Sequence, residues 1–139
     1  MLPQLDFAKL DGLLPAIIQD AASGEVLMLG FMNEQAYRET RASGQVTFFS
    51  RTRNKLWRKG EQSGHVLRVK EVRVDCDADT VLVSVEAVGP GVCHEGYRSC
   101  FFRQMDRAGE AKVVAKQVIT PEELYGKPAS DRRGEGKKS

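Results

Sequence analysis

The sequence predicts an α+β domain, mostly antiparallel sheet with two short helices. Three observations predict it. Residues 66–76 alternate apolar and polar through Val66, Val69, Val72 and Val74, with one slip, and 80–88 is a second β-rich run, so two strands joined tightly across 77–80 are expected. Asn33 and Gly44 bracket a helix running to about Ala42, as an N-cap and a C-terminal glycine do. Thr120-Pro121-Glu122-Glu123 is a capping box with proline at the first helical position, which starts a second helix.

The remaining elements follow in order. Residues 16–20 and 26–32 are apolar runs around Ala22-Ser23-Gly24, the pattern of a hairpin. After the first helix, 46–50 is β-rich, and 99–105 and 112–118 are further candidate strands. At 139 residues the chain is one domain, able to bury roughly two-thirds of its unfolded surface without staples. We place that domain at 1–125. Residues 126–139 carry five basic and two acidic residues with almost nothing apolar, and are expected to be a disordered tail.

Charge narrows the partners. The tail accounts for the net charge of +2, so the body is slightly acidic and a nucleic-acid partner is not expected. Within the body, 51–73 carries eight Lys/Arg against two Glu, which suits a phosphate-bearing small molecule, or simply a solvated strand face. No run of 18 apolar residues occurs and the first residues lack a basic-then-apolar signal pattern, so a cytoplasmic protein without a membrane partner is expected. Three cysteines in a reducing compartment point to metal ligation before disulfides.

Residues 75–100 concentrate the chemistry. Asp75-Cys76-Asp77-Ala78-Asp79 packs three carboxylates and a thiol into five residues, and Cys93-His94 and Cys100 follow. Carboxylates suit Mg²⁺ and thiolates suit Zn²⁺, so two metal sites of different softness are expected. The spacing C-x₁₆-C-x₆-C lacks the paired knuckles of structural zinc. Three ligands with an open position is the pattern of a catalytic zinc; three unrelated buried thiols is the plainer alternative. Asp75, Asp77 and Asp79 resemble the start of a calcium loop, but Thr80 stands where its glycine belongs, so Mg²⁺ completed by substrate phosphate fits better. If 72–77 is extended, Asp75 and Asp77 share one face and Cys76 faces away, which separates the two metals and suggests an oligomer.

His94 is a candidate general base or proton shuttle beside Cys93. His65 can contact substrate or merely occupy a turn. In Trp57-Arg58-Lys59-Gly60-Glu61-Gln62-Ser63-Gly64, the glycines let backbone amides approach an anion and Trp57 can stack on a base, although a lone tryptophan is more often core.

Taken together these segments resemble the phosphoribosyl-AMP cyclohydrolase family. The resemblance rests on VLMLGFMN at 26–33, Ser50-Arg51-Thr52-Arg53, LWRKGEQSGH at 56–65, DCDAD at 75–79 and CHEGYRSCFF at 93–102. It implies an intertwined homodimer with zinc on Cys76, Cys93 and Cys100, shared between subunits, and Mg²⁺ on Asp75, Asp77 and Asp79, one of each ion per subunit. It implies substrate contacts from Arg51, Arg53, Trp57, Lys59, Ser63, His65 and Arg98. The implied reaction opens the C6–N1 bond of the adenine ring in 1-(5-phosphoribosyl)-AMP by a zinc-activated water, a step of histidine biosynthesis. Departures are few: the family often has Ala at the position of Gly30, Asn at His65 and Thr-Gly at Glu95-Gly96. The chain is too short for the pyrophosphohydrolase domain fused to some members. A zinc nucleoside or nucleobase deaminase, the main alternative, would show H-x-E and P-C-x-x-C, and neither occurs. A zinc-dependent nucleic-acid module would need a fourth ligand and a basic body.

Overall fold

The computed structural model describes residues 4–90 and 92–120. Its centre is a four-stranded sheet built from β1 (Leu14–Asp20), β2 (Val26–Met32), β5 (Leu67–Val74) and β6 (Val81–Ala87), in the order β2-β1-β6-β5. β1 pairs antiparallel with β2 and parallel with β6, and β6 pairs antiparallel with β5. Period-two burial explains the arrangement: Leu14, Ala16 and Ile18 of β1 and Val81, Val83 and Val85 of β6 line one face of the two central strands.

Helix α1 (Glu34–Ser43) and the hairpin of β3 (Thr47–Ser50) and β4 (Lys55–Arg58) contribute to the same core. Asn33 is the N-cap, its Oδ1 accepting from the Ala36 amide at 2.8 Å, a bond worth about 1 kcal/mol. Gly44 ends α1 in the left-handed conformation at φ 75°. Between these caps, Thr40 ties helix to hairpin: its hydroxyl accepts from the Thr47 amide at 3.0 Å and donates to the Ala36 carbonyl at 2.8 Å. Gly30 of β2 makes room for Phe48 of β3, since a Cβ there would stand 2.5 Å from two ring carbons.

The slip in the valine pattern is a β-bulge. Val69 pairs with Val85 and Glu71 with Ser84, so Lys70 is the extra residue that keeps Val69, Val72 and Val74 turned inward. The chain departs from expectation in three places. β5 stops at Val74, and 75–79 is a turn, not the end of an extended strand, because the Asp75 amide donates to the Thr80 carbonyl at 3.1 Å and closes the chain on itself. The expected strands 99–105 and 112–118 shrink to β7 (Arg103–Met105) and β8 (Ala111–Val113). Cys100 N–H bonds the β2 edge at Leu27, and Val118 N–H bonds Gly96, so both flanks serve loop anchoring. β4, which patterning did not reveal, is brought into register by the turn at Asn54, whose φ is 56°. The description is α+β with one helix among the described residues; the helix expected from Thr120 onward and the tail at 126–139 lie outside them.

Candidate functional site

The turn after β5 gathers the three aspartates. Asp75 Oδ1 accepts from the Asp79 and Thr80 amides at 3.0 and 3.2 Å, which folds the segment back. Ala78 sits at φ 63°, a left-handed conformation that a residue with a Cβ adopts at a cost of about 1–2 kcal/mol. Its carbonyl accepts from the Asp6 amide at 2.7 Å. The outcome is one carboxylate oxygen each from Asp75, Asp77 and Asp79 within 4.8 Å of one another. The turn, not strand alternation, makes them converge. Three such charges repel, and the Lys9 ammonium offsets this, its Nζ 3.1 Å from Oδ2 of both Asp77 and Asp79. An all-oxygen, partly exposed cluster that already attracts a cation fits a hard divalent metal ion.

The cysteines divide differently. Cys93 is buried, 4% exposed, and Cys100 reaches the surface of the chain. Their thiols interact side by side. Crowding by protein, and then the neighbouring Cys93, push the Cys100 thiol up to about 11. Two adjacent thiols cannot both ionise cheaply unless a cation lies between them, which is the chemistry a thiophilic metal supplies. The Lys59 charge acts on Cys100; burial pulls its ammonium down, and Cys100 and Cys93 oppose that. Cys76 is exposed on the acidic turn, and among the described residues the three cysteines do not form a three-ligand group within one chain.

Beside the cysteine pair lies a cleft of about 450 Å³ whose walls include Arg53, Trp57, Lys59, Ser63 and His94. Its floor continues into the core: the Trp57 and Phe48 rings lie 5.1 Å apart. Trp57 is therefore both a core residue and a cleft wall. Gly60, at φ 87°, lets the 59–65 loop fold on itself, because a Cβ there would meet the His65 carbonyl at 2.5 Å. His65 itself packs against Gly89, and its backbone amide donates to Ser63 Oγ at 3.2 Å.

Two further residues implied as substrate contacts are engaged within the chain. Arg51 lies over the Phe31 ring at 4.6 Å. Arg98 is held by Glu25 at 2.8 Å and Asp20 at 3.2 Å. Sequence reading placed Arg58 in the 57–64 segment without naming it a substrate contact; it lines the cleft, and among the described residues its buried Nε has no hydrogen-bond partner. An orphaned guanidinium nitrogen is a signal for an anion or water, and only the fold reveals it. Lys9 was equally invisible, since 68 residues separate it from Asp77. A second depression of about 750 Å³, between α1, β5 and Asp6, opens beside the acidic turn.

Residues 28–102 match the model of the phosphoribosyl-AMP cyclohydrolase family. The chain is 62% identical over 122 residues to the phosphoribosyl-AMP cyclohydrolase of Solibacter usitatus, covering 88% of this chain and 96% of that protein. It is 52% identical over 122 residues to the protein of that name from Desulforapulum autotrophicum, covering 88% and 98%. Against that of Thiobacillus denitrificans it is 51% identical over 127 residues, covering 87% and 96%.

Proposed function

The chain belongs to the phosphoribosyl-AMP cyclohydrolase family, and from that membership we infer that it hydrolyses the C6–N1 bond of the adenine ring of 1-(5-phosphoribosyl)-AMP, in histidine biosynthesis. The observation that carries the assignment of residues is the cleft that brings Arg53, Trp57, Lys59, Ser63 and His94 together beside Cys93 and Cys100.

Alkylation at N1 makes C6 of the substrate electron-poor, so the reaction needs an activated water at C6 and a proton at the departing N1. Zn²⁺ held by Cys76, Cys93 and Cys100 would supply that water with its pKa lowered to about 7. His94, on the cleft wall next to Cys93, takes the proton of the attacking water and returns it to N1 as the ring opens to the formimino carboxamide. Trp57 offers a face on which the base stacks. Arg53, Arg58 and Lys59 offer positive charge to the phosphates, and Ser63 a hydroxyl. Mg²⁺ on Asp75, Asp77 and Asp79 would neutralise carboxylates that otherwise repel a phosphate.

A homodimer completes this reading. Cys76 stands on a different turn from the Cys93–Cys100 pair, so a second chain is the natural source of the third ligand. The β7–β8 hairpin is exposed along its length, with Met105 at 62%, and Phe101 beside it is 61% exposed. A two-stranded hairpin alone is marginal in water, and burial against another copy would support it.

Metal analysis of chelator-free protein, paired with an absorbance assay of ring opening, tests the proposal. Cys76→Ser, Cys93→Ser and Cys100→Ser should each lose zinc and turnover together. Near-normal turnover in all three would sink the catalytic-zinc assignment.

A further inference from the structure

The described part of the loop carrying Cys93 and Cys100 forms neither helix nor strand, and its own bonds are turn bonds centred on Val92 and Cys93. Inside the loop, Cys93 N–H donates to the Tyr97 carbonyl at 3.0 Å and Gly96 N–H to the Cys93 carbonyl at 2.9 Å. These bonds fix the bend at Cys93 and leave Cys100 to be placed from outside. Residues 117–119 hold the Glu95–Gly96 end of the loop, and the Cys100 end is held by β2 and by the two carboxylates that flank the β1–β2 turn. Cys100 N–H donates to the Leu27 carbonyl at 2.7 Å, and the Ser99 hydroxyl donates to the Val26 carbonyl at 2.8 Å. Two residues before Cys100, the Arg98 fork spans two carboxylates, Nε to Glu25 Oε1 at 2.8 Å and a terminal nitrogen to Asp20 Oδ2 at 3.2 Å.

The far end of this anchor is rigid. Asp20 is 7% exposed, and its Oδ2 also accepts from the Ser23 amide and hydroxyl, both at 2.8 Å. Asp20 ends the central strand β1, so the carboxylate is tied to the best-packed part of the sheet. A carboxylate already committed to a turn and a strand cannot drift with the loop. Arg98 therefore transmits the position of the sheet to the loop.

We propose that Arg98 is a positioning residue that holds Cys100, relative to Cys93, in the geometry the metal needs, through the Asp20–Arg98–Glu25 ion triad, and that it does not contact substrate. The inference rests on the reading of Cys93 and Cys100 as zinc ligands. An arginine is required because one guanidinium must reach two carboxylates in fixed directions; lysine offers a single point charge.

The test measures zinc affinity by competition with a chromophoric chelator, and separately kcat and KM of the zinc-loaded full chain. Arg98→Gln should weaken zinc binding about ten-fold, the lower end of what outer ligand-shell changes produce. It should also lower kcat while KM stays within about two-fold. Arg98→Lys should fall between wild type and Arg98→Gln. Should Arg98→Gln fail to fold, Glu25→Gln, at a more exposed site, should still weaken zinc about three-fold, and where both fold the double variant should be no weaker than Arg98→Gln alone. Unchanged zinc affinity in both single variants overturns the proposal. So does a KM raised ten-fold with zinc affinity intact, which would make Arg98 a substrate contact. Cys93→Ser serves as the reference. If it keeps wild-type zinc affinity, the metal reading itself fails and this inference falls with it; if it loses zinc while Arg98→Gln retains it, only the role of Arg98 fails.

Discussion

Lys9 Nζ lies 3.1 Å from Asp77 Oδ2. The same nitrogen is 3.1 Å from Asp79 Oδ2, so a single tethered ammonium occupies the space between two of the three clustered carboxylates. Hydrogen bonds to Asp77 and Asp79 push its pKa up to about 12, so it stays charged at any working pH. A divalent cation on these oxygens must displace it.

Lys9→Gln should therefore tighten Mg²⁺ binding, by about two- to five-fold given that the ion pair is exposed to solvent. Isothermal titration of the zinc-loaded protein with Mg²⁺ reads this directly. Asp77→Asn in the same experiment should weaken Mg²⁺ and leave zinc content unchanged. Weaker Mg²⁺ binding in Lys9→Gln would mean that the ammonium organises the cluster and does not compete for it.

Gly30→Ala should destabilise the fold by about 1–3 kcal/mol, the usual penalty of inserting a methyl group into a packed site. The added Cβ would collide with the Phe48 ring, and Phe48 packs on Trp57. Trp57 is the one tryptophan of the chain, so its emission should shift along with the urea midpoint. An unchanged midpoint and spectrum would show that Phe48 moves aside freely.

Acid should loosen the anchor at Asp20. Bonds from the Ser23 hydroxyl and amide, and then the Arg98 charge, hold its carboxyl below the ordinary 3.8. The unfolded chain therefore binds the proton more readily than the folded one, and stability rises with pH across that window. The contribution is complete above about pH 5 and is lost as pH falls through the folded value, so wild type should lose more stability between about pH 6 and pH 3 than Asp20→Asn does. Urea midpoints at the two pH values decide it, and equal losses in the two proteins would discount Asp20.

Mixing two inactive variants tests the shared zinc site. If Cys76 of one chain joins Cys93 and Cys100 of another, a heterodimer of Cys76→Ser and Cys100→Ser has one intact site and one doubly broken site. After subunit exchange about a quarter of wild-type activity should return, since half the dimers are mixed and each carries one good site of two. If one chain supplies all three ligands, no mixture regains activity. A fully active monomer by sedimentation would also end the dimer proposal.

Much of this protein was legible along the chain because its signals are local. Caps at Asn33 and Gly44 act within one helical turn, and apolar or β-rich runs mark β1 and β6, although only their burial in the fold shows which side chains face the core. The slip at Val69 was visible as a break in period two, though only pairing with β6 identifies it as a bulge. The candidate metal-binding side chains at 75–79 and 93–100 were likewise visible from side-chain chemistry. What tertiary structure alone decided is direction and distance. Whether Asp75 and Asp77 converge depends on a turn closed by backbone bonds, which strand periodicity described wrongly. The family resemblance implies a substrate contact for Arg98, and only the fold shows that carboxylates 73 and 78 residues away pair with it. Lys9 meets Asp77 and Asp79 only because the N-terminal segment bonds to the same turn at Ala78. Such pairings connect parts of the chain remote in sequence, and no local propensity or spacing encodes them.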